Sequence, residues 1–268
     1  MEIEFEKPPL VELIAEVRWG TPSYPSANFP PGFSPNLMIS PDQNDEFFKR
    51  FGTKVATLGF SRSESLIPLN FPAMPFQPIF RYPQVSSSGG TNVYQVGKGI
   101  FSAHATPPYR SWKNFSPIVK EGVKILLECR LENEKDLPFN VLNLRYIDAF
   151  THSLTQGCKT IEFVSKILGF GIKIPDAILN HAADTDGIIP FIQLTVPTSY
   201  GLIHVVIAEG RVNNEPSIIC DTTISRTDIT DPSLENVMKT FDSIHDLMRE
   251  IFLGLTEPIH NLMKPKEK

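Results

Sequence analysis

Residues 231–255, which read DPSLENVMKTFDSIHDLMREIFLGL, decide how the rest of the chain is interpreted. Asp231 can cap a helix whose first position is Pro232, where proline is well tolerated. Apolar residues then recur at spacings of three and four: Leu234, Val237, Met238, Phe241, Ile244, Met248, Ile251, Phe252 and Leu255. This spacing predicts a long helix, from about Pro232 to Leu255, that buries one apolar face.

Two segments upstream show the alternation of half-buried strands. In residues 10–19 the odd positions are apolar, while Glu12, Glu16 and Arg18 lie on the opposite face. In residues 141–150 the polar face carries Asn143 and Arg145. A period of two with one polar face predicts a strand in each segment.

The remaining pattern is similar in the two halves of the chain. Three short predicted strands precede a helix at 111–130, and three more, at 188–196, 202–209 and 217–226, precede the last long helix. Short turns favour antiparallel pairing, and a long helix can cover one sheet face. We therefore predict an α+β fold of antiparallel sheets, each covered by a long helix. It forms two similar strand-strand-strand-helix lobes of a single domain, 1–150 and 151–268.

Composition excludes several classes of protein. The chain has 268 residues, of which 41% are hydrophobic, as in ordinary globular proteins. A net charge of -5 argues against general nucleic-acid binding, and no apolar run approaches the roughly 18 residues of a membrane helix. The acidic first residues are unlike a secretory signal, and three distant cysteines suit free thiols. We expect a cytoplasmic protein. Prolines crowd residues 22–83, where we expect loops that form either a binding lid or a rigid wrap.

Three motifs together resemble a known family. They are KPPLVE at 7–12, YRSW at 109–112 and LRYID at 144–148. The chain is similar to a sporadically distributed family of prokaryotic proteins of about this length, which is defined by sequence and has no established biochemical function. The resemblance covers nearly the whole chain. One departure is Asp148, where the family favours Asn. The patchy distribution that the resemblance implies suits immunity, antitoxin or phage-defence components.

Motifs of catalysis and of cofactor binding are missing from the sequence. No Ser or Cys lies in a nucleophile-elbow context, and neither a zinc-protease helix motif nor a paired Cys-x-x-Cys is present. His181, Asp184 and Asp186 resemble part of a calcium loop, but Thr195 stands where the bidentate carboxylate should be. We predict neither a cofactor nor a metal.

The candidate binding residues are polar or aromatic. If the strands at 10–19 and 141–150 are neighbours, Glu12, Glu16 and Arg18 share a face with Arg145. That face is either a solvated ladder of ion pairs or a cleft in which a carboxylate presents Arg145 to an anionic ligand or partner. The other candidates are Tyr109, Trp112 and Asp148, where an aromatic ring either stacks on a ligand or belongs to the core.

Two functions remain open from the sequence. The first is a non-enzymatic binding protein that engages a protein partner encoded nearby, with a homodimer as a further option. The alternative is a ligand-binding or enzymatic protein with a polar cleft between the two lobes. A flat, exposed apolar patch would favour the first function. A deep pocket with a shifted carboxylate would favour the second.

Overall fold

The structure is a computed structural model that describes residues 4–20, 41–68, 73–85, 90–107, 111–185 and 187–266. Side chains are described within these ranges except at 41–45 and 85. The residues outside these ranges include Tyr109, Asp186 and, from the proline-rich stretch at 22–83, residues 22–40.

The strands in the described ranges are β1 Leu10–Trp19, β2 Glu64–Ser65, β3 Pro78–Val85, β4 Thr91–Gly97, β5 Ile100–Ala105, β6 Phe139–Phe150, β7 Ile192–Thr198, β8 Gly201–Val212 and β9 Glu215–Arg226. The helices are α1 Pro41–Ala56, α2 Trp112–Cys129, α3 His152–Thr155, α4 Thr160–Glu162, α5 Asp176–Leu179, α6 Leu234–Thr256 and α7 His260–Met263. A π-helical turn, Phe163–Ile167, follows α4, and a 3₁₀ turn, Glu257–Ile259, follows α6.

The described strands join in one sheet, in the order β2-β3-β4-β5-β1-β6-β9-β8-β7. Neighbours are antiparallel in the pairs β2/β3, β3/β4, β4/β5 and β7/β8. The predicted α+β class with antiparallel strands is confirmed. We had expected separate sheets, but β1 and β6 pair across more than a hundred residues at the centre of the order. A hydrophobic pattern reports which face of a strand is buried and does not report which distant strand lies beside it.

Residue contacts group the chain into two compact units that are discontinuous in sequence. The first consists of Met1–Leu13, Arg145–Ser225 and Ser243–Lys268, and the second of Ile14–Leu144 and Arg226–Asp242. The lobes expected from sequence, 1–150 and 151–268, stay a prediction.

In the second unit, α2 packs closely on β4 and β5. The Tyr94 hydroxyl donates a hydrogen bond of 2.6 Å to the carbonyl oxygen of Ile118, and Tyr94 and Phe101 are buried. A Cβ atom at Gly122 would stand only 2.6 Å from the Phe101 ring and 2.7 Å from Tyr94. The absence of a side chain at Gly122 is therefore what lets the helix approach the sheet.

The first unit has a separate apolar core. It includes Phe150, Phe163, Val205, Ile207 and Ile218, with Phe5 beside them. The backbone of Phe5 bridges to Pro265, and the ammonium of Lys266 lies 2.6 Å from the carboxylate of Glu4. These contacts fix both ends of the described chain to the same core.

Helix α6 buries the predicted apolar stripe through Val237, Phe241, Ile244 and Met248. Its start differs from the prediction by two residues. The helix begins at Leu234, and the hydroxyl of Ser233 accepts a 3.2 Å hydrogen bond from the backbone N–H of Asn236, which is the geometry of an N-cap. Asp231 is therefore not the cap, because a serine two residues later satisfies the free N–H groups.

We predict opposite effects for two glycine substitutions in helices. Gly122→Ala should lower the free energy of unfolding by about 1–3 kcal/mol, since the added methyl group overpacks the contact with Phe101 and Tyr94. Gly254→Ala should raise it by roughly 0.5–1 kcal/mol, because no atom lies within 4 Å of its Cβ position and alanine is the better helix former. Urea denaturation of both variants checks this. A destabilisation by Gly254→Ala equal to that by Gly122→Ala would contradict the close-packing explanation.

Candidate functional site

The predicted charged face forms a network in which Glu16 is the centre. Strands β1 and β6 are neighbours in the sheet. The carboxylate of Glu16 accepts hydrogen bonds of 2.7 Å from Arg18 Nε and 2.8 Å from Asn143 Nδ2. Glu12 lies half-buried on β1. These side-chain bonds link β1 to β6, and the geometry fits a structural ladder, in which the amide oxygen of Asn143 is buried without a hydrogen-bond partner among the described residues.

Arg145 has a partner that the sequence did not indicate. Its guanidinium makes a two-pronged contact with the carboxylate of Asp221 on β9, with Nε 2.8 Å from Oδ1 and a second bond from Nη2 to Oδ2. A planar guanidinium matches a carboxylate in this way with high directional preference. The partner could not be read from the sequence, because it required knowing that β9 lies beside β6.

Asp148 is the most unusual of the candidate residues. Only 5% of the surface of this acidic residue is exposed. Burial, and secondarily the negative charge of Asp221, raises the pKa of Asp148 to about 7. A protonated Asp has the shape and neutrality of Asn, so burial moves this residue toward the amide that the family resemblance leads us to expect.

The space around Asp148 is too small for a substrate. The cavity beside it has room for about one water molecule. Its wall is mostly apolar and includes Cys220, Thr222 and, from α6, Met248, Ile251 and Phe252. Two larger surface cavities in the described ranges have volumes of about 350 and 390 Å³, and neither is lined by Arg145 or Asp148. Neither of these two cavities gathers the predicted polar residues around a ligand-sized space.

Of the two aromatic candidates, Trp112 is buried in the core and Tyr109 is not among the described residues. Trp112 is 8% exposed and packs against Phe115 and Phe241. Its indole N–H donates a 2.7 Å hydrogen bond to Asp242 Oδ1. Trp112 is therefore a core residue and does not present its ring for stacking on a ligand. Tyr109 lies outside the described residues.

Other chemistry-bearing groups are sparse in the described residues. Cys129 and Cys220 are buried free thiols whose pKa burial raises to about 11 and about 12, so neither is a reactive thiolate near neutral pH. The phenol of Tyr146 and Nδ1 of His245 lie 2.7 Å apart in a hydrogen bond. No three His, Cys, Asp or Glu side chains in the described ranges are placed to hold a metal ion.

An apolar surface that the sequence did not identify lies at the β7 end of the sheet. Strand β7 is the last in the strand order. Leu194 and Val196 pair in register with Val205 and Ile203 of β8. Since paired residues share a sheet face, Leu194 lies on the same face as the buried Val205, yet both Leu194 and Val196 are exposed.

Two large apolar residues in the segment just before β7 are also exposed. Ile189 is 64% exposed and Phe191 is 68% exposed. We call the segment from Ile189 to Val196 the β7 surface. Its pattern resembles that of an ordinary half-buried strand, so the sequence could not show that these apolar residues are exposed.

Comparison with known proteins adds no relative. No protein-family model, curated protein or solved structure matches the chain. The resemblance carried by the three motifs stays a prediction. Within the described ranges, no helix is long and apolar enough to cross a membrane.

We predict that Asp148→Asn stabilises the protein in a pH-dependent manner. The pKa of Asp148 is raised from 3.8 to about 7, so the native state holds a proton that the unfolded state releases. Its contribution to stability is therefore lost as the pH rises from about 4 to 7, by as much as about 4 kcal/mol. Removing this titration should make the variant more stable than the wild type at pH 8, with the difference shrinking toward pH 4. Denaturant unfolding at a series of pH values measures it.

The matched control for that experiment is Asp246→Asn, which removes one exposed carboxylate from α6. This change should leave the pH dependence of stability as it is in the wild type. A stability difference between Asp148→Asn and the wild type that is the same at every pH would show that Asp148 is ionised at no cost in the fold.

Proposed function

We propose that the protein is a non-enzymatic binding protein that engages a protein partner through the β7 surface. The observation that carries this proposal is the exposure of Ile189 and Phe191, the two most exposed large apolar side chains among the described residues of their unit. Large apolar side chains placed together on a surface are typical of protein interaction sites. Small-molecule sites are concave and enclose most of their ligand, so exposed apolar residues of this kind fit contact with another protein better.

Two of the candidate binding residues already bond to other side chains of the same chain, and this agrees with a binding surface that lies elsewhere. Arg145 is engaged by Asp221, and Trp112 by Asp242. A raised pKa such as that of Asp148 is also found at catalytic sites, and it is the one observation that favours the alternative, a ligand-binding or enzymatic role. The cavity beside Asp148 has no room for a substrate, so the alternative is the weaker proposal.

The biological setting rests on the family resemblance. An immunity, antitoxin or phage-defence accessory component, located in the cytoplasm, is the role that a sporadically distributed family suggests. Its partner would then be a protein encoded nearby. We also retain, as a proposal, the arrangement of two similar strand-strand-strand-helix lobes, each with its covering helix.

We predict that this surface is needed for partner binding. The tagged protein should be co-expressed with the product of each neighbouring gene, and the captured complex quantified by mass spectrometry. Phe191→Ser and Ile189→Ser should each reduce capture of the true partner at least about tenfold, since each removes apolar area from the interface. Ile229→Ser is the matched control, because Ile229 is 73% exposed but belongs to the other unit.

The proposal fails if no neighbouring product is captured by the wild type. It also fails if the two β7-surface variants capture the partner as well as Ile229→Ser does.

Replacement of Arg145 separates the structural role of the polar network from a binding role. Arg145→Ala leaves Asp221 without its guanidinium and should lower the free energy of unfolding by about 1–2 kcal/mol, because both groups are partly exposed. Partner capture, measured well below the midpoint of unfolding, should not change. Loss of capture at unchanged stability would favour the alternative function instead.

A further inference from the structure

The backbone of β7 has an open hydrogen-bonding edge. In the strand order β7 has β8 on one side, and no described strand lies on the other. The inner residues of the strand, Gln193 to Pro197, are all exposed. None of them is charged. Natural edge strands are commonly protected from pairing with another chain by charged residues or proline, and β7 has no charged residue and a single proline, Pro197.

Pro197 shows which backbone groups point outward. Proline has no N–H, so in a sheet it is confined to positions whose N–H side faces away from the neighbouring strand. Pro197 is paired with Leu202 of β8 in register. Residues of the same parity, Gln193 and Thr195, therefore direct their N–H and C=O groups away from β8.

We propose that β7 pairs antiparallel with β7 of a second copy of this chain, with the two-fold axis at Thr195. This pairing rests on the proposed function only because both use the β7 end of the sheet. The paired strands would continue the sheet from one chain into the next.

The register follows from the outward groups. With Thr195 opposite its own copy, these two residues exchange two hydrogen bonds. The N–H of Gln193 then meets the C=O of Pro197 in the other chain, and the symmetric contact forms as well. Roughly four hydrogen bonds result. The missing N–H of Pro197 removes two further bonds and does not block the pairing.

The side chains are complementary to themselves in this register. Leu194 of one copy lies opposite Val196 of the other, on the face that the buried Val205 shares. Apolar side chains thus cover apolar side chains on both sides of the axis. Because the strand is uncharged, two copies meet without repulsion between like charges. A different strand could not be selected by charge complementarity, because β7 has no charged residue. This favours a second copy of the chain, whose apolar residues match in this register.

The test uses a cysteine at the proposed axis. In the proposed register the Cα atoms of residue 195 in the two chains are about 5.5 Å apart, within the range of a disulfide. Thr195→Cys should therefore form a covalent dimer under mild oxidation, seen on a non-reducing gel. Gln193→Cys is the matched control, because its two copies are roughly 14 Å apart and should not cross-link. Both variants are made in a Cys158→Ser background, because Cys158 is partly exposed whereas Cys129 and Cys220 are buried, and this background alone should stay uncross-linked.

A second variant tests the backbone pairing without a cysteine, because an exposed cysteine can also cross-link through random collisions. Thr195→Pro removes an outward N–H and no backbone hydrogen bond to β8, but it also removes the 2.9 Å hydrogen bond between Thr195 Oγ1 and His204 Nδ1 on β8. Its control is therefore Thr195→Val, which loses the same side-chain bond and keeps the N–H. The proline variant should halve the mass measured by light scattering at micromolar concentration and leave the circular dichroism spectrum unchanged, whereas the valine variant should keep the mass of the wild type. A wild type that is monomeric at 100 μM, or cross-linking that is equal for Thr195→Cys and Gln193→Cys, would overturn the proposal. Capture of a neighbouring gene product by a monomeric wild type would overturn the dimer alone, and a cross-linked dimer without any partner would overturn the proposed function alone.

Discussion

The pairing of β6 with two strands from distant parts of the sequence is the constraint on which the sheet depends. The backbone N–H of Phe139 donates to Thr230 at one end of β6, and Ala149 donates to Pro9 at the other. Side chains alternate along a strand, so Asp148 lies on the same face of β6 as the buried Leu142 and Leu144. The strand therefore carries a carboxyl group into an apolar environment. Burial then moves the pKa of that group toward neutrality.

On the opposite face of β6 the polar side chains bond to groups of opposite polarity on the neighbouring strands. There Asn143 and Arg145 bond to carboxylates on the strands on either side, Glu16 on β1 and Asp221 on β9. These bonds connect β6 to both of its neighbours and occupy the carboxylates of Glu16 and Asp221. The contacts of Asn143 and Arg145 therefore support a structural role for this face of β6.

Local features were predictable from the sequence, whereas long-range ones were not. The alternation at 10–19 and the three-four spacing of the last helix are local, and both elements formed where predicted to within a few residues. Even the burial of Asp148 follows from its parity with Leu142 and Leu144, although we treated it only as a binding candidate. The partner of Arg145 and the open side of β7 both depend on strand order, which no pattern along one segment contains.

We propose that this protein meets another chain at the outer edge of β7. Amide hydrogen exchange at Gln193 and Thr195 tests that claim most directly, because their N–H groups point away from β8 and only an added strand can protect them. We expect both amides to exchange rapidly in dilute protein and at least about tenfold more slowly at high concentration or with a bound partner, while Leu194 and Val196 stay protected throughout. Amides of Gln193 and Thr195 that exchange at one unchanging rate under all these conditions would contradict the account.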